Sequence, residues 1–203
     1  MSLDPSLEAR ALALAARGRT VLGIAGAPGA GKSTLAADVV AALGDRAVVV
    51  PMDGFHLAQT ELERLGRADR KGAPDTFDAA GFVALLGRLR AGRETVYAPE
   101  YRRDLRNAVA GAIAVGPEVP LVVVEGNYLL LDGAGFAPVA GLLDEAWFVA
   151  LDDAVRLERL VARHVAFGKS PEAAHAWSHG PDERNATLVA ATAARADLVV
   201  RPG

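Results

Sequence analysis

Residues 26–33 read Gly-Ala-Pro-Gly-Ala-Gly-Lys-Ser, which satisfies G-x-x-x-x-G-K-[ST] at every specified position. No other stretch of the chain restricts the fold as strongly, because this pattern works only between a buried strand and the start of a helix. Both neighbours are present. The run Thr-Val-Leu-Gly-Ile-Ala at 20–25 suits a buried strand, and 33–43 reads as a helix. Glycines in such a loop let backbone N–H groups turn inward around an oxyanion, and the helix start adds a partial positive charge. Gly26, Ala27, Gly29, Ala30, Gly31, Lys32, Ser33 and Thr34 are therefore candidates for holding the phosphates of ATP. Lys32 is expected to reach the β- and γ-phosphates and Ser33 to place its hydroxyl on Mg²⁺. Lysine occurs only at 32, 71 and 169, so a chance match is rare; the bland alternative is a glycine-rich turn with a capping serine.

The rest of the chain alternates strands with helices. Apolar strand candidates cover 47–52, 121–124, 146–151 and 196–200, with helices at 78–89, 153–167, 171–177 and 183–195. In the helix at 78–89, Phe82, Leu85, Leu86 and Leu89 fall three and four residues apart on one face. A polar stretch at 59–74 is rich in Arg and Gly. Continuous rather than alternating apolar strands imply a sheet covered on both faces. The expectation is an α/β chain of the P-loop NTPase class: a mostly parallel five-stranded sheet, helices on both faces, one domain over 1–203, and a small lid near 156–185.

Composition removes several classes of function. With 51% hydrophobic and 23% charged residues the chain is of globular type, and a net charge of −3 is the wrong sign for coating nucleic acid. Without cysteine there is no thiolate metal site, disulfide or cysteine nucleophile. The opening Met-Ser-Leu-Asp, with no basic segment followed by an apolar one, is not expected to act as a secretory leader, and the apolar region 109–131 is broken by Glu118, Pro120 and Glu125, so no membrane span is expected. The expected setting is the cytoplasm and the expected partner a small-molecule substrate; a homodimer stays open. The string Asp132-Gly133-Ala134-Gly135 reads as a turn rather than a GTPase switch, and there is no N-K-x-D string.

In open parallel sheets, ligands bind at the carboxyl ends of strands. Asp53 follows the strand ending at Met52, and Glu125 follows Val122-Val123-Val124. A phosphoryl transfer to an alcohol needs one carboxylate to accept the proton and another to hold Mg²⁺. The alternative is that each acid only caps a turn.

Four segments together resemble one family: residues 26–34, Met52-Asp53-Gly54-Phe55-His56, Lys71-Gly72-Ala73-Pro74-Asp75-Thr76-Phe77-Asp78, and Glu125-Gly126-Asn127-Tyr128. They are similar to the P-loop small-molecule kinases of the uridine kinase, pantothenate kinase and phosphoribulokinase group, nearest to its bacterial nucleoside/nucleotide kinase and fructose-transport-system kinase-like branch. Asp53-Gly54-Phe55 matches the pantothenate kinase form of the motif, whereas uridine kinases usually carry Ser-Phe-Tyr after the aspartate. The resemblance implies Asp53 as general base and Glu125 as the acid near magnesium, with 96–103 beside the acceptor. There, Tyr101 and Arg103 either bind an anionic or hydroxyl-rich ligand or belong to a surface hairpin. His56 either orients the acceptor or is a turn histidine. Lys71 binds an acceptor oxyanion or is a solvated loop charge, and Asn127 and Tyr128 contact substrate or form a turn.

Arg156, Arg159 and Arg163 share one helix face at i, i+3 and i+7. Asp152, four residues before Arg156, can pair with one of them, which leaves a solvated, salt-bridged face as the alternative to a lid. As a lid, these guanidinium groups would close over ATP, and the resemblance favours Arg159 and Arg163 as catalytic alongside Asp53 and Lys32. Asp182 is expected to cap the helix at 183. The resulting reading is an ATP- and Mg²⁺-dependent kinase acting on a nucleoside, sugar or pantothenate-like acceptor. The rival is a regulatory or assembly ATPase that transfers phosphate only to water.

Overall fold

The computed structural model describes residues 3–202. In chain order the strands are β1 (Thr20–Gly26), β2 (Ala47–Pro51), β3 (Val96–Arg102), β4 (Asn107–Val115), β5 (Leu121–Gly126), β6 (Glu145–Val149) and β7 (Leu198–Val200). The helices are α1 (Pro5–Ala15), α2 (Lys32–Leu43), α3 (Gln59–Arg64), α4 (Ala79–Ala91), α5 (Asp153–Ala166), α6 (Pro171–His179) and α7 (Pro181–Ala190). Five strands make one wholly parallel sheet in the order β2–β5–β1–β6–β7, and β3 pairs with β4 as a separate antiparallel hairpin. All residues of β1 and β5 are buried, as a doubly covered sheet requires.

Side chains of β5 alternate between two cores. Val122 and Val124 face Phe82, Leu86 and Leu89 of α4, while Leu121 and Val123 face Ala11 and Leu14 of α1 and Ala36 and Val39 of α2. Full burial of each large apolar side chain is worth about 1.5–3 kcal/mol, so the α4 stripe anchors that helix more firmly than its propensity does. Asp78 caps α4 by accepting from the Gly81 N–H, and Gly92 ends it with φ 58°.

The parallel register sets the strand tips level with one another. Glu125 sits opposite Ile24 of β1 on one side and Pro51 of β2 on the other. The phosphate loop after β1, Asp53 after β2 and Glu125 at the end of β5 are thereby brought to one edge of the sheet.

Several expectations shift. α1 has no counterpart in the sequence reading, although Asp4 accepting from the Ser6 N–H and Pro5 in the first turn are ordinary start signals. The helix expected at 183–195 runs instead from Pro181 to Ala190, because the chain must turn into β7; the Thr192 hydroxyl closes that turn on the Val189 carbonyl at 2.7 Å. The segment 96–103 is the first strand of the hairpin, with an irregularity between Ala98 and Glu100 at Pro99, which has no N–H to give to a ladder. Among the described residues no helix is long and apolar enough to cross a membrane.

Candidate active site

Gly29 adopts φ 82°, and a Cβ there would lie 2.7 Å from Leu160 and 2.9 Å from the Arg156 carbonyl, so α5 rests directly on the phosphate loop. The Ala30 N–H is turned back to the Ala27 carbonyl at 3.1 Å. Lys32 opens α2 and is buried; its ammonium donates to the Ala27 carbonyl at 3.1 Å. Burial pulls the Lys32 pKa down, and the negative charges of Glu125 and Asp53 partly restore it. The Ser33 hydroxyl donates to Glu125 Oε1 at 3.2 Å. Burial, reinforced by the charge of Asp53, raises the Glu125 pKa above the usual carboxylate range, against the pull of Lys32 and Ser33.

Asp53 lies in a 3-10 turn (Met52–Phe55) directly after β2. A Cβ on Gly54 would run into the Pro99 carbonyl, so this position lets β3 lie against the turn. The Asp53 carboxylate is about one-third exposed, with His56 Nδ1 at 3.9 Å and Arg103 Nη2 at 3.8 Å. His56 Nδ1–H donates to the Asp53 carbonyl at 2.9 Å, which closes the turn on itself. Its ring packs 4.0 Å from Phe77 and 4.9 Å from Tyr101, and this burial holds its pKa below the ordinary imidazole value.

Two cavities flank the strand tips. The larger, about 860 Å³, is walled by Gly29, Gly31, Lys32, Ser33, Thr34 and Arg159, with Leu7 and Arg10 of α1 and the segment 198–202 on its far side. The smaller, about 630 Å³, is walled by Asp53, His56, Lys71, Tyr101, Arg103 and Asn127, with residues of α5, α6 and α7 opposite. Arg163 borders both cavities. Burial, and next the like charge of Arg103, lower the Arg163 pKa; Asp182 opposes them.

The phosphoribulokinase/uridine kinase family model matches residues 21–202, spanning loop, Asp53 and the α5–α7 segment alike. The chain belongs to this family. A solved structure from Silicibacter sp. TM1040, described as a "putative fructose transport system kinase", superposes with a TM-score of 0.85 at 40% identity, covering 96% of this chain and 98% of that one. A "putative uridine kinase" of Schizosaccharomyces pombe is 32% identical over 90% of this chain and 83% of its own length. The pantothenate kinase of Rhodopseudomonas palustris strain BisB18 is 29% identical over 72% of this chain, which spans half of that longer protein. The chain is thus a P-loop kinase-family protein by sequence as well as by fold.

Within this family frame, four expectations need correction. Tyr128 is fully buried among Phe77 and Phe136, and its hydroxyl donates to the Gly72 carbonyl at 2.6 Å, so it braces the loop beneath the cleft instead of facing it. Arg156 does not stand free in a row with Arg159 and Arg163. Its guanidinium is buried and donates to Asp153 at 2.9 Å, to Glu183 at 2.5 Å and to the Pro28 carbonyl at 3.4 Å. Asp152 pairs with none of the three arginines among the described residues; its carboxylate caps α5 by accepting from the Ala154 and Val155 N–H groups. Asp182 caps nothing: it is buried and receives His164 Nε2 at 2.7 Å, while Gly180 precedes α7.

Other residues of the cleft carried no signal in the sequence reading. Arg106, Phe167, Trp177 and Asn185 reach the smaller cavity from the hairpin turn and from α5–α7. The rarity of lysine was a usable cue for Lys169, whose ammonium lies 4.4 Å from the Trp177 ring centre at the same cavity. Among the described residues no three His, Cys, Asp or Glu side chains cluster as a metal cage. Ser33 and Glu125 are the oxygen pair beside the phosphate loop.

Proposed function

We propose that the protein transfers the γ-phosphoryl group of ATP to a hydroxyl of a small metabolite, with Asp53 as general base and Mg²⁺ as cofactor. The observation that carries this reading is the position of Asp53: its carboxylate faces the smaller cavity, level with Glu125 and the phosphate loop, and Arg163 joins that cavity to the larger one. Relatives named for uridine, pantothenate and fructose transport favour a small hydroxyl-bearing acceptor, which suits a cleft of about 630 Å³.

Features of the phosphate loop support a triphosphate as its ligand. Lys32 is a buried cation whose hydrogen-bond partner is a backbone carbonyl, and Gly29 keeps the turn free of a Cβ. Hard oxygen donors of the Ser33–Glu125 kind suit Mg²⁺, which when bound neutralises charge building between the β- and γ-phosphates. In the transfer, the acceptor oxygen bonds to the γ-phosphorus as the bond from phosphorus to the β–γ bridging oxygen breaks. Asp53 takes the hydroxyl proton, and ADP and the phosphorylated alcohol leave. Lys32 and Arg163 meet the charge spreading over the transferred group, and Arg159 approaches from the same helix. Arg103 and His56 set the orientation of the base.

The test is Asp53→Asn. Its nucleotide affinity, measured by titration, is expected to stay within about twofold, while kcat for the acceptor falls by about 10²-fold or more, the scale of a lost general base. Near-wild-type turnover would remove Asp53 from this role. ATP hydrolysis indifferent to every small alcohol would remove the kinase reading itself.

A further inference from the structure

On α7 one polar side chain meets the smaller cavity with nothing to bind. Asn185 is 6% exposed and lines that cavity, yet its carboxamide makes no hydrogen bond among the described residues. Of the side-chain polar atoms described, only Arg19 Nε and the Ser178 hydroxyl are both unpartnered and sealed off, so the Asn185 amide remains open to the cavity. Its surroundings explain the missing partner. Asn185 Nδ2 lies 3.9 Å from where a Cβ on Gly72 would stand. Both backbone groups of Gly72 are already taken: its N–H donates to the Thr76 hydroxyl at 2.9 Å, and its carbonyl accepts from the Tyr128 hydroxyl at 2.6 Å. Gly72 holds φ 103°, so a larger residue there would strain the turn as well as narrow this gap.

The helix that carries Asn185 is firmly placed. Just before it, Asp182 receives His164 Nε2 at 2.7 Å and Glu183 receives Arg156 at 2.5 Å, so two consecutive residues tie α7 to α5. Ala186 and Val189 are buried and anchor α7 further. A carboxamide offers two N–H donors and a carbonyl acceptor, and holding it unpaired and largely out of water is unfavourable. An apolar side chain of the same shape would suit the free fold at least as well. The amide gains its missing hydrogen bonds only from a molecule that enters the cavity.

We infer that Asn185 is a specificity-determining residue of the acceptor cleft, exchanging hydrogen bonds with a neutral polar group of the acceptor, a hydroxyl or an amide, that stands apart from the hydroxyl being phosphorylated. A carboxamide is matched by a partner that both donates and accepts, and an alkyl group in the same place leaves it unpaired. Arg163, next to His164 on α5, borders this cavity and the one at the phosphate loop. A molecule engaged by Asn185 is therefore gripped by the same helix pair that faces the transferred group. The role rests on the kinase reading above and is one of binding: bond making and the proton stay at Asp53.

Asn185→Leu, close in shape and unable to hydrogen-bond, separates binding from structure. Without acceptor, removal of an idle amide should leave Tm unchanged or raise it by about 2–4 °C. Uridine, fructose and pantothenate are then titrated into the full chain saturated with Mg²⁺ and a non-hydrolysable ATP analogue, and ADP release is followed with ATP in its place. At least one of the three is expected to bind the variant about tenfold or more weakly. Its KM should rise by the same factor, with kcat within about threefold and nucleotide affinity within about twofold of the wild type. Fructose presents hydroxyls alone whereas pantothenate adds an amide, so the one that responds identifies the group. Asn185→Ala should show the same loss of acceptor binding and decides the matter if leucine does not fit. A Tm lowered in both variants would make Asn185 a structural residue and overturn the inference. Acceptor affinity equal to the wild type, or no binding of any of the three to the wild type, overturns it too. A fall in kcat with KM unchanged would sink the Asn185 contact and leave the kinase standing. Acceptor binding that depends on Asn185 without any ADP release would do the reverse.

Discussion

Arg156 is the most buried charge in the fold, and its removal should destabilise the protein less than removal of its partner. The guanidinium side chain is 1% exposed, whereas the side chains of Glu183 and Asp153 are 39% and 79% exposed. In Arg156→Met the two carboxylates are left where water already reaches them, so the loss is that of two partly screened pairs, about 1–2 kcal/mol together. In Glu183→Ala a buried cation loses its shortest partner at 2.5 Å and keeps mainly the well-solvated Asp153. Leaving such a charge uncompensated costs about 3–5 kcal/mol in buried settings, and Asp153 reduces this to about 3 kcal/mol. For a chain of this size 1 kcal/mol moves Tm by about 2–4 °C, so Arg156→Met should lower Tm by about 2–8 °C and Glu183→Ala by about 6–12 °C. The double variant should fall near Arg156→Met alone, because the cation that suffered is gone. Thermal melts and urea titrations of all four proteins measure this. Because the same guanidinium holds the Pro28 carbonyl, both single variants should also weaken ATP binding. Additive losses, or a Glu183→Ala variant no worse than Arg156→Met, would refute the reasoning.

Tyr128→Phe leaves the Gly72 carbonyl without its hydroxyl donor, so stability should drop by about 1 kcal/mol while kcat stays within about twofold; a loss of acceptor affinity without destabilisation would put Tyr128 in the cleft after all. The Glu125 pKa is higher folded than unfolded, so as pH rises from its unfolded value through its folded one, the unfolded state releases its proton first and stability is lost. Glu125→Gln should therefore gain stability over the wild type at pH 8 without metal, with the gain shrinking towards pH 4, while its Mg²⁺-dependent turnover falls. A gain that is constant across that range would contradict the burial argument.

Much of the fold is legible because it is local. Five apolar runs became the five sheet strands, and the Phe82–Leu85–Leu86–Leu89 stripe became the buried face of α4, since period and length alone decide such elements. β4 was harder to read: Ala110, Gly111, Ala112 and Ala114 are open to solvent in the hairpin while Val115 is fully buried, so hydrophobicity is no guide to burial there. α1 mixes alanines with Leu7, Leu12 and Leu14 behind a plain capping signal, and its place beside the larger cavity, through Leu7 and Arg10, is something no local pattern reveals.

The sequence by itself determined the phosphate loop, the parallel sheet that presents it and the two acids at strand ends, because each depends on neighbours a few residues away. Tertiary structure alone decided that Arg156 is a buried clamp, that Asp182 binds His164, that Tyr128 faces inward, and that Lys71 and Arg106 line one cavity with no ion pair of their own among the described residues. Helical spacing tells which side chains share a face. It is silent on which charge from a distant segment will meet them, and that meeting sets whether a cation is a strut or a free hand for a ligand.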